Sequence, residues 1–173
     1  MYEGEWREGK RNGEGTITND SGKVIFKGNY QDDLKHGRGI YSHKDNSQFE
    51  GKYIKGKRLG RGKFTFWNKD YIEGIFTNDN EVDGTYYYTT GEKHEGHFVD
   101  MIAEGRGLFS HLNGDVFKGN YKNGKKHGKG VYTYENGDKF EGKYKDGEKD
   151  GPGTWTTKDG QSYECVYEKG HEQ

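Results

Sequence analysis

The chain has 173 residues, a formal net charge of −1 and only 27% hydrophobic residues. That is one domain's length, with too little aliphatic volume for helices packed on a sheet and too small a net charge for a disordered chain. Aromatic residues reach 15% and glycines number 30, against one proline, Pro152, and one alanine, Ala103, so the expected fold is all-β, aromatic-rich and thin.

The opening segment, Tyr2-Glu3-Gly4-Glu5-Trp6, alternates apolar and polar residues, the period of a strand with one apolar face. Tyr2, Gly4 and Trp6 share that face. The same aromatic-x-Gly pattern returns at Phe26, Gly28 and Tyr30, and at Phe49, Gly51 and Tyr53. It continues at Gly74 and Phe76, at Gly96 and Phe98, at Phe117, Gly119 and Tyr121, and at Phe140, Gly142 and Tyr144. The glycines recur every 22 to 24 residues, and one further step of 23 reaches Cys165, where cysteine stands in for glycine. A single array over 2–173 follows, with units starting near 2, 26, 49, 72, 94, 117 and 140 and a partial unit at 163.

Within each unit a glycine-containing loop leads to a second strand that opens with Gly-x-Gly, as in Gly128-Lys129-Gly130. Asn136-Gly137 and its equivalents then close a tight turn into the next unit. A strand glycine between two aromatics leaves a slot that a ring from the adjoining strand is expected to cover. The predicted product is a single-layer, twisted antiparallel sheet of stacked β-hairpins with no significant helix, curved into a trough lined by Tyr and Trp.

Two units break the pattern. After Gly74 the loop is longer, and Tyr86 falls where the second glycine of Gly-x-Gly is expected. After Gly96 the loop offers Met101 and Ile102 in place of glycine and lysine. Val82, Tyr86, Tyr87, Tyr88, Met101 and Ile102 form a candidate partner patch, because apolar groups in a polar surround are what interfaces use. The alternative is a tolerated irregularity, with Ile102 tucked under the loop.

The loops also differ in charge. Those at 54–59 and 122–127 are basic, and Lys55, Lys57, Arg58, Lys122, Lys125 and Lys126 are candidate anion spots. Between them the loops carry Asp79, Glu81, Asp83, Asp100 and Glu104 and no base, so the edge as a whole has no net charge. A bilayer-binding edge is basic along its length.

Catalytic and cofactor signals are missing. Asp79-x-Glu81-x-Asp83-Gly84 begins like a calcium loop, but its twelfth position is Thr90, not a bidentate Glu. His94 and His97 lie on opposite faces of one strand and share no metal readily, so they read as surface imidazoles. Gly124-Lys125-Lys126-His127-Gly128-Lys129 lacks the glycine frame and the Ser or Thr of a phosphate loop. Cys165 reads as a filler with no histidine near it in sequence. No catalytic, metal or cofactor site is expected, nor an enzyme, and the balanced charge gives no reason to expect nucleic acid.

Tyr2-Glu3-Gly4-Glu5-Trp6-Arg7-Glu8-Gly9-Lys10-Arg11-Asn12-Gly13-Glu14-Gly15 resembles the MORN (membrane occupation and recognition nexus) repeat, and copies in register run from Tyr2 to Tyr167. The resemblance implies a non-enzymatic interaction or scaffold module in a cytoskeletal, ciliary or membrane-associated assembly. Its partner would be a protein: an extended peptide, a helix or a larger assembly. The alternative it implies is a peripheral module for phosphoinositides or anionic lipid. Asp20 to Tyr30 is also similar to repeats that precede the catalytic domain of SET-type lysine methyltransferases. The sequence ends within the array at Gln173, without room for such a domain, so methyl transfer is not expected. Edge strands at Tyr2–Trp6 and Tyr163–Tyr167 are expected to favour end-to-end or homodimer contacts. No apolar run spans a bilayer, no secretion signal opens the chain, and a lone cysteine fits a reducing compartment. The expected location is cytoplasmic, including cytoskeleton, cilium or a peripheral membrane site, and not secreted.

Overall fold

The two-residue period of Phe117, Gly119 and Tyr121 is realised as a strand, and so is every other copy of the pattern. A computed structural model describes residues Met1–Gln173, which fall into two compact units, Met1–Thr89 and Thr90–Gln173. Unit one contains β1 (Tyr2–Arg7), β2 (Lys10–Thr18), β3 (Val24–Gln31), β4 (Leu34–Ser42), β5 (Gln48–Ile54), β6 (Lys57–Thr65), β7 (Tyr71–Phe76) and β8 (Glu81–Tyr87). Unit two contains β9 (Lys93–Val99), β10 (Ile102–Ser110), β11 (Val116–Lys122), β12 (Lys125–Thr133), β13 (Lys139–Lys145), β14 (Glu148–Thr156), β15 (Ser162–Glu168) and β16 (His171–Glu172). Within each unit every strand pairs antiparallel with its neighbour in sequence, and there is no helix.

Hairpin turns are shorter than the sequence suggested. Seven of the eight are two-residue turns such as Asn123 (φ 50°) and Gly124 (φ 75°), both left-handed. This is the hairpin turn whose twist matches that of the strands. The remaining residues of the supposed loop belong to the second strand, which carries a bulge: opposite Asn29, between Lys35 and Gly39, the chain fits in extra residues at Gly37 (φ 76°). The first glycine of Gly-x-Gly is therefore the bulge residue.

The second glycine forms a ladder. Gly119 stands opposite both Gly107 and Gly130, and Gly28 opposite both Gly15 and Gly39. Unlike the expectation, the ring over Gly119 comes from its own strand. A Cβ placed on Gly119 would lie 2.5 Å from Phe117 Cζ and 2.8 Å from Gly130 Cα. The same ring then reaches Gly130 on the next strand, so one phenylalanine covers two glycines. Phe26, Phe49 and Phe140 repeat this geometry.

Each ring also contacts the following hairpin. Phe117 meets Tyr121 edge-on at 5.6 Å and Tyr144 at 4.8 Å, and Phe140 meets Tyr167 at 5.1 Å. In unit one, Tyr2 reaches Tyr30, Phe26 reaches Tyr53 and Phe49 reaches Phe76. These phenylalanines are buried, and so are Tyr30, Tyr53, Tyr121, Tyr144 and Tyr167, so the aromatic row is the core. Trp6, at the edge, remains 59% exposed. Inter-hairpin turns are tied together by carboxylates. Asp115 accepts from the Tyr132 hydroxyl at 2.7 Å and from the Glu135 amide at 2.8 Å, bonds that hold its carboxyl below the ordinary range.

The irregular hairpins have a simple description. β7 and β8 pair without a bulge across a four-residue connection. Gly84 is opposite Gly74, so it is the ladder glycine, and Tyr86 sits opposite Ile72 where other units place an aromatic. The bulge glycine, not the ladder glycine, is the one that is missing. In the turn after β9, Met101 adopts φ 64°, a conformation that five equivalent turns give to glycine. Met101→Gly is expected to raise stability by about 1 kcal/mol, because the steric cost of a left-handed methionine exceeds the entropic cost of glycine. Denaturant unfolding of the two proteins checks this, and a lower midpoint would show that the Met101 side chain packs usefully.

Candidate binding groove

The two faces of each unit carry different chemistry. On the ring face, the residue opposite the second aromatic of a strand is a cation in five hairpins. Tyr30 faces Lys35, Tyr53 faces Arg58, Tyr121 faces Lys126 and Tyr144 faces Lys149. Arg11 lies over Tyr30 at 4.9 Å. The Lys149 Nζ lies 4.3 Å from the Phe140 ring and 4.6 Å from Trp155, and donates to the Tyr134 hydroxyl at 3.1 Å. Burial holds the Lys35 and Lys126 ammonium groups below their ordinary pKa.

Two of the expected anion spots are therefore elsewhere. Lys126 is half-buried against Phe117 and Tyr132. Arg58 lies over Phe49 and is paired with Asp79 at 3.5 Å, also donating to the Asp79 carbonyl. Strand register turns both inward, opposite an aromatic. Lys55, Lys57, Lys122 and Lys125 stay exposed at the turns. In β8 and β10 the caged cation is replaced by Val82 and Ala103, both buried.

The opposite face is a groove, floored in each unit by the glycine ladder. Its volume is about 1730 Å³ in unit one and about 1110 Å³ in unit two. The expectation of a trough lined by Tyr and Trp is corrected: the rings fold over the glycines on the other face. The groove is walled by the residues flanking each ladder glycine, which alternation sends away from the rings. One wall mixes signs, with Lys63 paired to Glu73 at 3.2 Å. The other wall places Arg38 directly opposite Lys52, followed by Arg61, and in unit two Lys129 directly opposite Lys143. These five cations are exposed and form no ion pair. Aromatic character on this face is concentrated at Tyr71 and Tyr87, stacked at 4.6 Å, with Lys63 Nζ 3.7 Å above Tyr71.

Sequence reasoning missed this wall. The signal was available: the middle residue of Gly-x-Gly (Arg38, Arg61, Lys129) and the residue after the ladder glycine (Lys52, Lys143).

The expected partner patch is not assembled as one surface. Val82 is fully buried under the rings and presents nothing to a partner, because it takes the place of the caged cation. Tyr86 contacts Phe66 at 5.2 Å and Tyr88 at 4.4 Å, and donates to Asp70. Tyr87 belongs to the groove, Met101 to a hairpin turn, and Ile102 is 48% exposed rather than tucked away. His94 is not a surface imidazole. It occupies the phenylalanine position, is 4% exposed, and packs on Phe98, Phe109 and Tyr121. Cys165 is buried opposite Gly153, and burial raises its thiol pKa. No group of three or more His, Cys, Asp or Glu residues stands close enough to hold a metal.

The sequence model of the MORN repeat matches residues 2–24, 26–48, 49–70, 117–139 and 140–162. The unmatched stretches, 71–116 and 163–173, contain the three hairpins that lack the caged cation, where Val82, Ala103 and Glu172 take its place. Among curated proteins, alsin from Homo sapiens and from Mus musculus is 31% identical over 112 residues. That alignment covers 62% of this chain but only 5–6% of alsin. Among solved structures, the TCP domain of SAS-4 from Drosophila melanogaster, in complex with a proline-rich motif of Ana2, superposes with a TM-score of 0.51. The two are 12% identical, and the match covers 89% of this chain and 90% of that one.

Proposed function

Because the chain belongs to the MORN repeat family, we propose that it is a non-enzymatic protein-interaction module whose groove face receives an extended segment of a partner. The observation that carries this reading is the groove itself. A floor of ladder backbone, whose side-chain positions point to the ring face, between two walls of exposed polar side chains leaves room for an extended chain to lie across the strands. The TCP domain of SAS-4, similar in fold, is in complex with a proline-rich motif of Ana2, which supports a peptide as the kind of ligand. The assembly served, whether cytoskeletal, ciliary or membrane-associated, is part of the same proposal and rests on the family.

A photo-crosslinking amino acid tests the proposal when placed in the groove at Val131 and, separately, on the exposed inter-hairpin turn at Lys158. Capture of one defined protein from Val131 and not from Lys158 is the expected result. The second reading, docking on anionic lipid, draws on the exposed turn lysines Lys55, Lys57, Lys122 and Lys125. Co-sedimentation with phosphoinositide vesicles that is lost when those four are changed to Gln, without groove crosslinking, would favour it.

A further inference from the structure

We propose that the groove of each unit selects an acidic extended segment, with a carboxylate held between the opposed cations, Arg38 and Lys52 in unit one and Lys129 and Lys143 in unit two. The proposal rests on the groove reading above and adds the chemistry of its occupant. In each unit the two members of a pair are directly opposite in strand register. Like charges in that position are unfavourable in a sheet. On the ring face the cations sit in aromatic cages or in ion pairs such as Arg58–Asp79, and the other directly opposed cations, Arg7–Lys10 and Lys122–Lys125, stand at hairpin turns. Arg38, Lys52, Lys129 and Lys143 are left facing solvent on one wall of the groove, without a carboxylate partner. The arrangement occurs once in each unit, at the same place in the repeat. A carboxylate placed between the two cations of a pair converts mutual repulsion into two charge-assisted contacts.

Geometry fits an extended chain. Its alternate side chains project the same way at roughly 7 Å intervals, a span that flexible Lys and Arg side chains on strands ~4.8 Å apart can bracket. The cations lie beside the glycine floor rather than at the turn tips, where a lipid surface would meet the exposed lysines.

The test uses the full chain and a fluorescein-labelled peptide of alternating glutamate and serine, about twelve residues long, with its glutamine–serine counterpart as control. Two quadruple variants remove the same charge: Arg38→Gln, Lys52→Gln, Lys129→Gln and Lys143→Gln in the groove, or Lys55→Gln, Lys57→Gln, Lys122→Gln and Lys125→Gln at the turns. Fluorescence anisotropy is expected to show the glutamate peptide binding roughly tenfold or more tightly than the glutamine peptide, with that advantage lost in the groove variant and kept in the turn variant. The groove variant is also expected to melt at or above the parent temperature, since it relieves like-charge opposition. Equal loss in both variants, or an effect of the groove variant on phosphatidylserine vesicles but not on the peptide, would overturn the proposal. Both peptides binding equally well, with amide protection in β4 and β5, would reject the acidic preference and leave the groove standing. No amide protection by either peptide would reject both.

Discussion

Gly119→Val is expected to destabilise unit two by about 3–5 kcal/mol, beyond the usual range for an overpacked site, because the new Cβ strikes backbone as well as ring. At 2.5 Å from Phe117 Cζ and 2.8 Å from Gly130 Cα, even the first added carbon does not fit. The fully buried Phe117 ring must leave, uncovering Gly119 and Gly130 together and losing its contact with Tyr144. Valine is a better strand former than glycine, so an ordinary exposed strand would respond in the opposite sense. Thermal unfolding should show a fall of about 10 °C or more. Hydrogen exchange should rise from β9 to β14 and stay unchanged in unit one, because repeats contact only their neighbours. A variant that melts with the parent would remove the ring-over-glycine account of this sheet.

Acidification is expected to weaken unit two through His94. Burial among Phe98, Phe109 and Tyr121 pushes its pKa down to about 4, while the unfolded chain titrates near 6.5. Above about pH 6.5 the imidazole is neutral in both states and contributes no pH dependence. As pH falls from there toward 4, the unfolded chain binds a proton that the folded one refuses, so stability falls with pH. The full effect is about 3 kcal/mol, reached below pH 4. His94→Phe restores the residue the other units use and should flatten this part of the profile. Urea midpoints from pH 7 to pH 4 for both proteins check it, and identical slopes would assign the acid sensitivity to the carboxylates.

Much of the fold could be read directly from the period. Phe26, Phe49, Phe117 and Phe140 mark strands at the predicted spacing, and their burial follows from simple alternation. What escaped was register. The six residues between Tyr121 and Gly128 look like one loop, yet only Asn123 and Gly124 make the turn, and the bulge at Gly128 absorbs the rest. That shift turns Lys126 and Arg58 inward and puts Arg38 and Lys129 on the groove wall. A composition count over the apparent loop cannot see it, because lysines in the same run end on opposite faces. His94 escaped for a related reason: histidine reads as a candidate metal ligand or a surface imidazole, while its position makes it a member of the ring row. In the unmatched stretch 71–116 the loss of the bulge glycine before Gly84 hides the register, and Tyr86 then looks misplaced when it is the usual aromatic.

The relay of one ring to the next hairpin makes length a free variable. Phe117 closes on Tyr144 as Phe140 closes on Tyr167, so the surface that a hairpin offers upstream matches the surface it accepts downstream. Excising residues 117–139 would bring His94 to Tyr144 in place of Tyr121 and create no junction of a new kind. Duplicating them would insert one more copy of a junction that already exists. A globular core allows no such editing, because its closed interior fixes the number of elements that fill it. Here gene slippage in steps of 23 codons can lengthen or shorten a unit while each intermediate remains foldable, and the reach of the groove can evolve separately from the contacts that hold it together.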